Sequence, residues 1–296
     1  MPDEKVLPHL LRLLDDESEV VREAVARELA AFGGALEEEL RRLREPPDEE
    51  QRRAMRALLS DPPRWQRLRR AWLQEAWPTW REKETPLDRL EAALSILAEF
   101  QKAPEYPLLS QEECVPPARK SLSDMLDDLA GAFRAEAPPP HDARSLARYL
   151  FETLGIQGAR SDYYNPLHSS LTHVIETRRG IPITLACIYI LTGRRLGLDI
   201  RGCNWPGHFL ARFEEGGAIV VVDCFNGGAC IDEESFLKMQ GPSRDAAKTV
   251  LEEDAGVEDI VARVLQNLVH AYQHSDQWEN SRIMIGLLKE MPRPRH

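Results

Sequence analysis

Long apolar runs are missing from this sequence of 296 residues; none approaches the roughly 20 consecutive apolar residues of a membrane-spanning helix. The opening MPDEKVLPHL lacks the basic start and apolar core of a signal peptide. These absences predict a cytoplasmic chain with no membrane partner. Basic charge is scarce too: 38 Lys and Arg face 49 Asp and Glu, a formal net charge of −11. That argues against non-specific binding to nucleic acid or to an anionic membrane, which needs a basic face. Cysteine is sparse and unpaired in pattern: Cys114, Cys187, Cys203, Cys224 and Cys230 are odd in number and form no CxxC motif. They read as free thiols in a reducing compartment. His168 and His173 lack helical i, i+4 spacing and a clustered carboxylate, and His270 and His274 have that spacing but read as a solvated helix face. No metal and no cofactor is expected.

What is present is mostly helical periodicity. Lys5 to Phe32 reads as two amphipathic helices joined at Asp15–Ser18, with Gly33 and Gly34 as the stop. The first presents Val6, Leu10, Leu11 and Leu14, the second Val21, Val25, Ala26 and Leu29. Helices near 36–45, 48–60 and 62–76 follow, punctuated by prolines, and complete a helical region over 1–83. Its first two helices resemble a single HEAT repeat, which must dock on a neighbour to bury its face. Trp72, Trp77 and Trp80 are expected between helices, because three large rings must be buried somewhere.

Over 84–256 the pattern is α+β. Leu87–Phe100, Ser121–Phe133 and Asp142–Leu154 read as helices, the last with Asp142 as N-cap, and 104–117 as a loop. Pro182–Leu196 is apolar nearly all round, as a buried central helix is. Asp199–Trp205, Gly207–Phe213 and Ala218–Asp223 read as strands. Glu258–Leu288, within a region 257–296, reads as a helical hairpin. Its Leu268, Tyr272, Trp278, Ser281, Ile285 and Leu288 fall near tetratricopeptide-repeat positions, which suits a C-terminal cap or a partner-binding module.

The chemistry sits on the strand pair. The turn Glu214-Glu215-Gly216-Gly217 joins two strands, with Gly supplying positive φ. A register that opposes Phe213 and Ala218 also opposes His208 and Asp223, with Cβ atoms about 5 Å apart. An imidazole oriented by a carboxylate is the base half of a catalytic triad; the bland alternative is a structural pair. Pro182 suits the first turn of its helix, where a missing N–H costs nothing. Thr184 follows on the same turn, where an anion is favoured, although a hydroxyl there is more often a cap or a back-bonder. Cys187 lies five residues beyond Pro182, about 140° around the helix. Cys203 and Cys224 point off the dyad's face in a regular strand. Arg178 and Arg179 stand at the helix entrance, where they could hold an acidic partner. Asn204, Trp205 and Asn226 flank the pair as candidate cleft residues.

Five blocks in this order resemble a known family: Tyr163-Tyr164-Asn165-Pro166 with Ser169; Arg178 to Ile183; Arg195-Leu196-Gly197-Leu198; Pro206 to Leu210; and Asp223 with Phe225-Asn226-Gly227-Gly228. They resemble the transglutaminase-like superfamily, and more closely its SirB family, from about Pro86 onward. The resemblance implies a papain-like core with a helix packed on a small antiparallel sheet. In the active enzymes it implies a helix-borne Cys beside a strand His and a strand Asp. Counting back about four turns from Gly197 lands on Pro182, so the resemblance implies a triad without its nucleophile, a loss general in the SirB group. The expectation is a non-catalytic binding or regulatory protein with a protein or peptide partner. The alternative is a hydrolase or amide-transfer enzyme with a displaced nucleophile or an activated water.

Overall fold

The computed structural model describes residues 6–32, 36–59, 62–102, 120–239 and 244–292. The Gly33-Gly34 stop, the 104–117 loop and Cys114 lie outside them. The chain divides into two compact units, Met1–Ala76 with Lys102–Arg119, and Trp77–Gln101 with Lys120–His296.

The first unit holds α1 (Leu7–Arg12), α2 (Glu19–Ala31), α3 (Leu36–Arg42), α4 (Glu49–Leu59) and α5 (Pro62–Ala76). Leu7, Leu10, Leu11 and Leu14 have the i, i+3, i+4, i+7 spacing of one helical stripe. They share a core with Val25, Ala26 and Leu29 of α2, Leu40 of α3 and Met55 of α4. Val6, expected on that stripe, is exposed instead, because Leu7 takes its place. Arg22 closes the α1–α2 turn, donating from Nη1 to the carbonyls of Asp16 and Glu17 at 2.5 and 3.1 Å. Trp72 also departs from expectation: it is 40% exposed, while Trp77 and Trp80 are buried edge to face, 6.0 Å apart.

The second unit opens with a 3₁₀ stretch, Trp77–Glu82, followed by α6 (Pro86–Gln101), α7 (Leu122–Glu136) and α8 (Ala143–Arg148). Asp142 caps α8 in a reciprocal box: its carboxylate accepts from the Ser145 backbone N–H at 2.7 Å, and Ser145 Oγ accepts from the Asp142 N–H at 2.9 Å. A π-helical turn, Tyr149–Thr153, continues α8. Then come β1 (Gln157–Gly158), α9 (Leu171–Thr177), β2 (Arg179–Gly180), α10 (Pro182–Arg195), β3 (Ile200–Cys203), β4 (Leu210–Glu215), β5 (Ala218–Asp223) and β6 (Ala229–Asp232). The unit ends in α11 (Glu233–Met239), α12 (Arg244–Glu252), α13 (Val257–His274) and α14 (Trp278–Lys289). Among the described residues no helix is long and apolar enough to cross a membrane.

Strands β3 to β6 form an antiparallel meander, and β1 and β2 pair in parallel. Helix α10 lies against β3 and β4, and every residue from Pro182 to Gly193 is buried. Its end is a Schellman motif: Leu198 N–H bonds Gly193 O at 2.9 Å and Gly197 N–H bonds Arg194 O at 3.0 Å, with Gly197 at φ +74°. The helix approaches the sheet closely because Gly193 has no Cβ; one there would lie 2.4 Å from Ile200 Cδ1. Arg195, the last residue of the helix, grips Glu91 of α6 through both terminal guanidinium nitrogens, at 2.9 and 3.0 Å.

The hairpin differs from its expected register. Gly216 and Gly217, at φ +61° and +82°, form the turn alone, so Glu215 opposes Ala218 and Phe213 opposes Val220. Two consecutive positive-φ residues match the right-handed twist of the strands and favour the tighter turn. Strand β4 also starts later than expected. Pro206 offers no N–H, and Gly207 at φ +74° completes a turn in which His208 N–H bonds Trp205 O at 3.2 Å, which takes 206–209 out of the ladder. His208 therefore precedes its strand rather than lying on it.

Candidate functional site

The Trp205–His208 turn has Pro at its second position and a positive-φ Gly at its third, the chemistry of a type II turn. It delivers His208 to the end of the sheet where β5 finishes with Asp223. The β4–β5 register is two residues away from the expected one, and His208 reaches Asp223 from the turn before β4, not as a cross-strand pair. His208 Nε2 lies 2.8 Å from Asp223 Oδ1.

Asp223 is held from behind. Asn226 donates its backbone N–H to Oδ1 at 3.1 Å and its side-chain amide to Oδ2 at 2.8 Å. Arg160 in turn donates to Asn226 Oδ1 and lies over the Phe225 ring, 5.2 Å from its centroid. Phe225 faces His208 edge to face at 6.0 Å, and it fits there because Gly158 has no Cβ, which would otherwise meet the ring at 2.6 Å. Burial raises the Asp223 carboxyl pKa, but hydrogen bonds from His208 and Asn226 outweigh it and leave the group below its ordinary value. The acid therefore stays a carboxylate near neutral pH. His208 and Asp223 keep 29% and 18% of their side-chain surface accessible, so the pair is reachable from solvent.

The other sequence candidates are placed differently. Pro182 is the first residue of α10, after an extended Ile181. Thr184 is fully buried with Oγ1 unpartnered, so it presents no surface to a ligand in solution. Arg178 ends α9 in the left-handed region at φ +60°, and Arg179 opens β2; both are exposed. Asn204 and Trp205 are tied to α13, with Arg263 Nη1 donating to Asn204 Oδ1 at 2.5 Å and to Trp205 O at 2.9 Å. Burial pushes the Arg263 guanidinium pKa down. Cys203 sits in a core cluster with Leu210 and Val221, and Cys187 and Cys224 are fully buried.

Beside the pair, the loop after β1 and the exposed stripe of α13 enclose a cleft of about 270 Å³. Its floor is Ser169, Ile181 and Ala271, all buried, and Ile181 is the residue immediately before Pro182. Tyr163, Tyr164 and His270 form the exposed rim. Tyr163 is edge-on to Phe225 at 6.2 Å, so a chain of ring contacts links the cleft to His208. Sequence reasoning missed Arg160 and Asn267 as parts of this region, named Phe225 only within a resemblance block, and read His270 only as a solvated helix face. Only the alternation of polar residues along α13 at i, i+4, i+7 (Arg263, Asn267, His270) marks it in the sequence.

A buried helix laid against a short antiparallel meander, with an imidazole–carboxylate pair at the sheet's end, defines an α+β core of the transglutaminase-like class. A family model described as the transglutaminase-like superfamily matches residues 118–266, and the chain belongs to that superfamily. It is 37% identical over 160 residues to a UPF0162 protein of Xylella fastidiosa, covering 52% of this chain and 57% of that relative. The chain thus spans little more than half the length of such curated relatives. The UPF0162 protein of Pseudomonas aeruginosa is 29% identical over 199 residues, 62% of this chain and 65% of its own. A shorter stretch of 77 residues is 36% identical to F-box only protein 21 of Homo sapiens, 26% of this chain and 12% of that one. No solved structure gives a significant match.

Proposed function

We propose that this chain is a non-catalytic binding protein of SirB type, in which Pro182 occupies the position of the superfamily's nucleophilic Cys. Its HEAT-like first helices and the tetratricopeptide-like α13–α14 hairpin would engage a protein or peptide partner, in a reducing cytoplasm that keeps its thiols free.

The observation that carries this reading is the state of the thiols. A cysteine nucleophile works as a thiolate and needs a depressed pKa. Burial instead pushes Cys187 up to about 12 and Cys203 up to about 11. Burial raises Cys224 well above the ordinary thiol value, and it raises half-buried Cys230 as well. Each described thiol is thus shifted away from the form that attacks. The N-terminus of α10, where a thiol would be depressed, begins with a ring that has no nucleophilic atom.

A second reading has one specific support, the solvent-accessible His208–Asp223 contact backed by Asn226. In that reading the pair activates a water, or a hydroxyl of the substrate, and the chain is an amide hydrolase or transferase. The test is to incubate the purified chain with peptide and carboxamide substrates, with and without prior alkylation. The binding reading expects no turnover in either arm. Turnover lost in His208→Ala would establish the second reading.

A further inference from the structure

The lining of the cleft beside α13 specifies the chemistry of a ligand that would fit it. At about 270 Å³ it falls below the ~300–1,000 Å³ of sites for whole small molecules or cofactors. It is of the size for one large side chain. The buried floor contributes apolar contact from Ile181 and Ala271. The rim is aromatic and already fixed in place: Tyr164 stacks on His274 at 4.6 Å with planes 14° apart, and Tyr163 sits edge-on to both Tyr164 and Phe225. A preformed aromatic rim binds without an ordering cost.

Charge decides what enters. Among the described lining residues there is no Arg or Lys to meet a carboxylate, and Arg263, one turn before Asn267 on α13, is committed to Asn204 and to the Trp205 carbonyl. An ammonium group would find no lining carboxylate, because nearby Asp162 accepts from Asn165 at 2.9 Å and does not line the cleft. An aliphatic side chain would strand the polar lining. Ser169 Oγ, the Asn267 amide and the Tyr163 and Tyr164 hydroxyls make no hydrogen bonds to other described residues. Each such group covered without a partner costs about 1–3 kcal/mol. An aromatic ring with a polar, uncharged tip satisfies all three conditions, with the ring against Ile181, Ala271 and the tyrosines and the tip on Ser169 or Asn267.

We infer that this cleft is a receptor for a single tyrosine- or tryptophan-type side chain presented by a protein or peptide partner. For the identity of that partner the inference rests on the binding reading, whereas the cleft itself does not depend on it.

The test titrates N-acetyl-tyrosinamide into the isotopically labelled full chain and follows the Ala271 methyl and Ser169 amide resonances. Saturable shifts in the millimolar range are expected, and N-acetyl-alaninamide should produce none over the same range. Ala271→Trp, which fills the cleft, should weaken binding at least tenfold. Asn267→Leu supplies a second variant should that one fail to fold, and it should weaken the tyrosine amide several-fold more than the phenylalanine amide. The inference is overturned if no saturable shift occurs, if the alanine amide matches the tyrosine amide, or if both variants bind as the parent does. Amide turnover alongside intact tyrosinamide binding would remove the binding-protein reading and leave the cleft standing; silence in both assays would remove the cleft alone.

Discussion

Nε2 of His208 and Oδ1 of Asp223 lie 2.8 Å apart, and this contact gives the two ring nitrogens different duties. The carboxylate can only accept, so Nε2 is the donor of this contact and Nδ1 takes no part in it. Asn226 grips the same carboxylate through two further donors, so the acid cannot turn away from the imidazole without losing all three bonds.

That arrangement makes stability depend on pH in a specific direction. The Asp223 pKa is lowered in the folded chain. Its contribution is therefore complete above the unfolded value of ~3.9 and is lost as pH falls through the lower folded value. Asp223→Asn should destabilise the chain by about 1–3 kcal/mol at pH 7. The gap between parent and variant melting temperatures should hold down to about pH 5 and narrow towards pH 3. A gap that stays constant over that range would show that the carboxylate's charge contributes nothing.

Gly193 should be intolerant of the smallest change. Its missing Cβ leaves room for Ile200 of β3, so Gly193→Ala should cost about 1–3 kcal/mol by overpacking. Because Ile200 Cδ1 is the clashing atom, Ile200→Val should relieve part of that cost. The double variant should be at least ~0.5 kcal/mol more stable than the sum of the singles requires. Denaturant melts of the four proteins check it, and strict additivity would mean that helix and strand do not press on each other there.

These contacts show how much of the molecule is legible in its sequence. Helix α10 announced itself through its apolar circumference and Pro182, and Asp142 through its position ahead of an apolar stripe. That His208 and Asp223 meet was readable from the hairpin, although His208 reaches Asp223 from the turn before β4 and not from a strand position. The register was not, since it depends on whether Glu215 or Gly216 opens the turn, and the Pro206-Gly207 turn removes residues that otherwise read as strand. Strand β6 is four residues long and too short to show a period. The cleft was invisible because it joins Tyr163 and Ser169 to Asn267 and Ala271, roughly a hundred positions apart, through packing that no local pattern encodes.

Arg212 supplies a third stability test. It lies on β4 with only 4% exposure, and it bonds Asp254 at 2.5 Å and the Glu252 carbonyl at 3.1 Å. Removing the carboxylate leaves a buried cation short of its partner, so Asp254→Ala should destabilise by about 1–3 kcal/mol, less than for a fully buried pair because Asp254 is half exposed. Adding Arg212→Met should restore part of the loss, since an apolar chain of similar length needs no counter-charge. A double variant less stable than Asp254→Ala alone would show that Arg212 acts through its packing.

Whether Pro182 stands where a nucleophile would stand is read most directly from alkylation rates at neutral pH. Iodoacetamide labelling followed residue by residue should find no thiol in the parent faster than an ordinary free cysteine. Pro182→Cys should add one faster than any of them, because a helix N-terminus depresses a thiol's pKa and, if Pro182 holds the nucleophile's place, so does the imidazole of His208. Adding His208→Ala should abolish that gain. A parent cysteine that is already fast, and whose loss ends an amide-cleaving activity, would contradict the binding-protein reading.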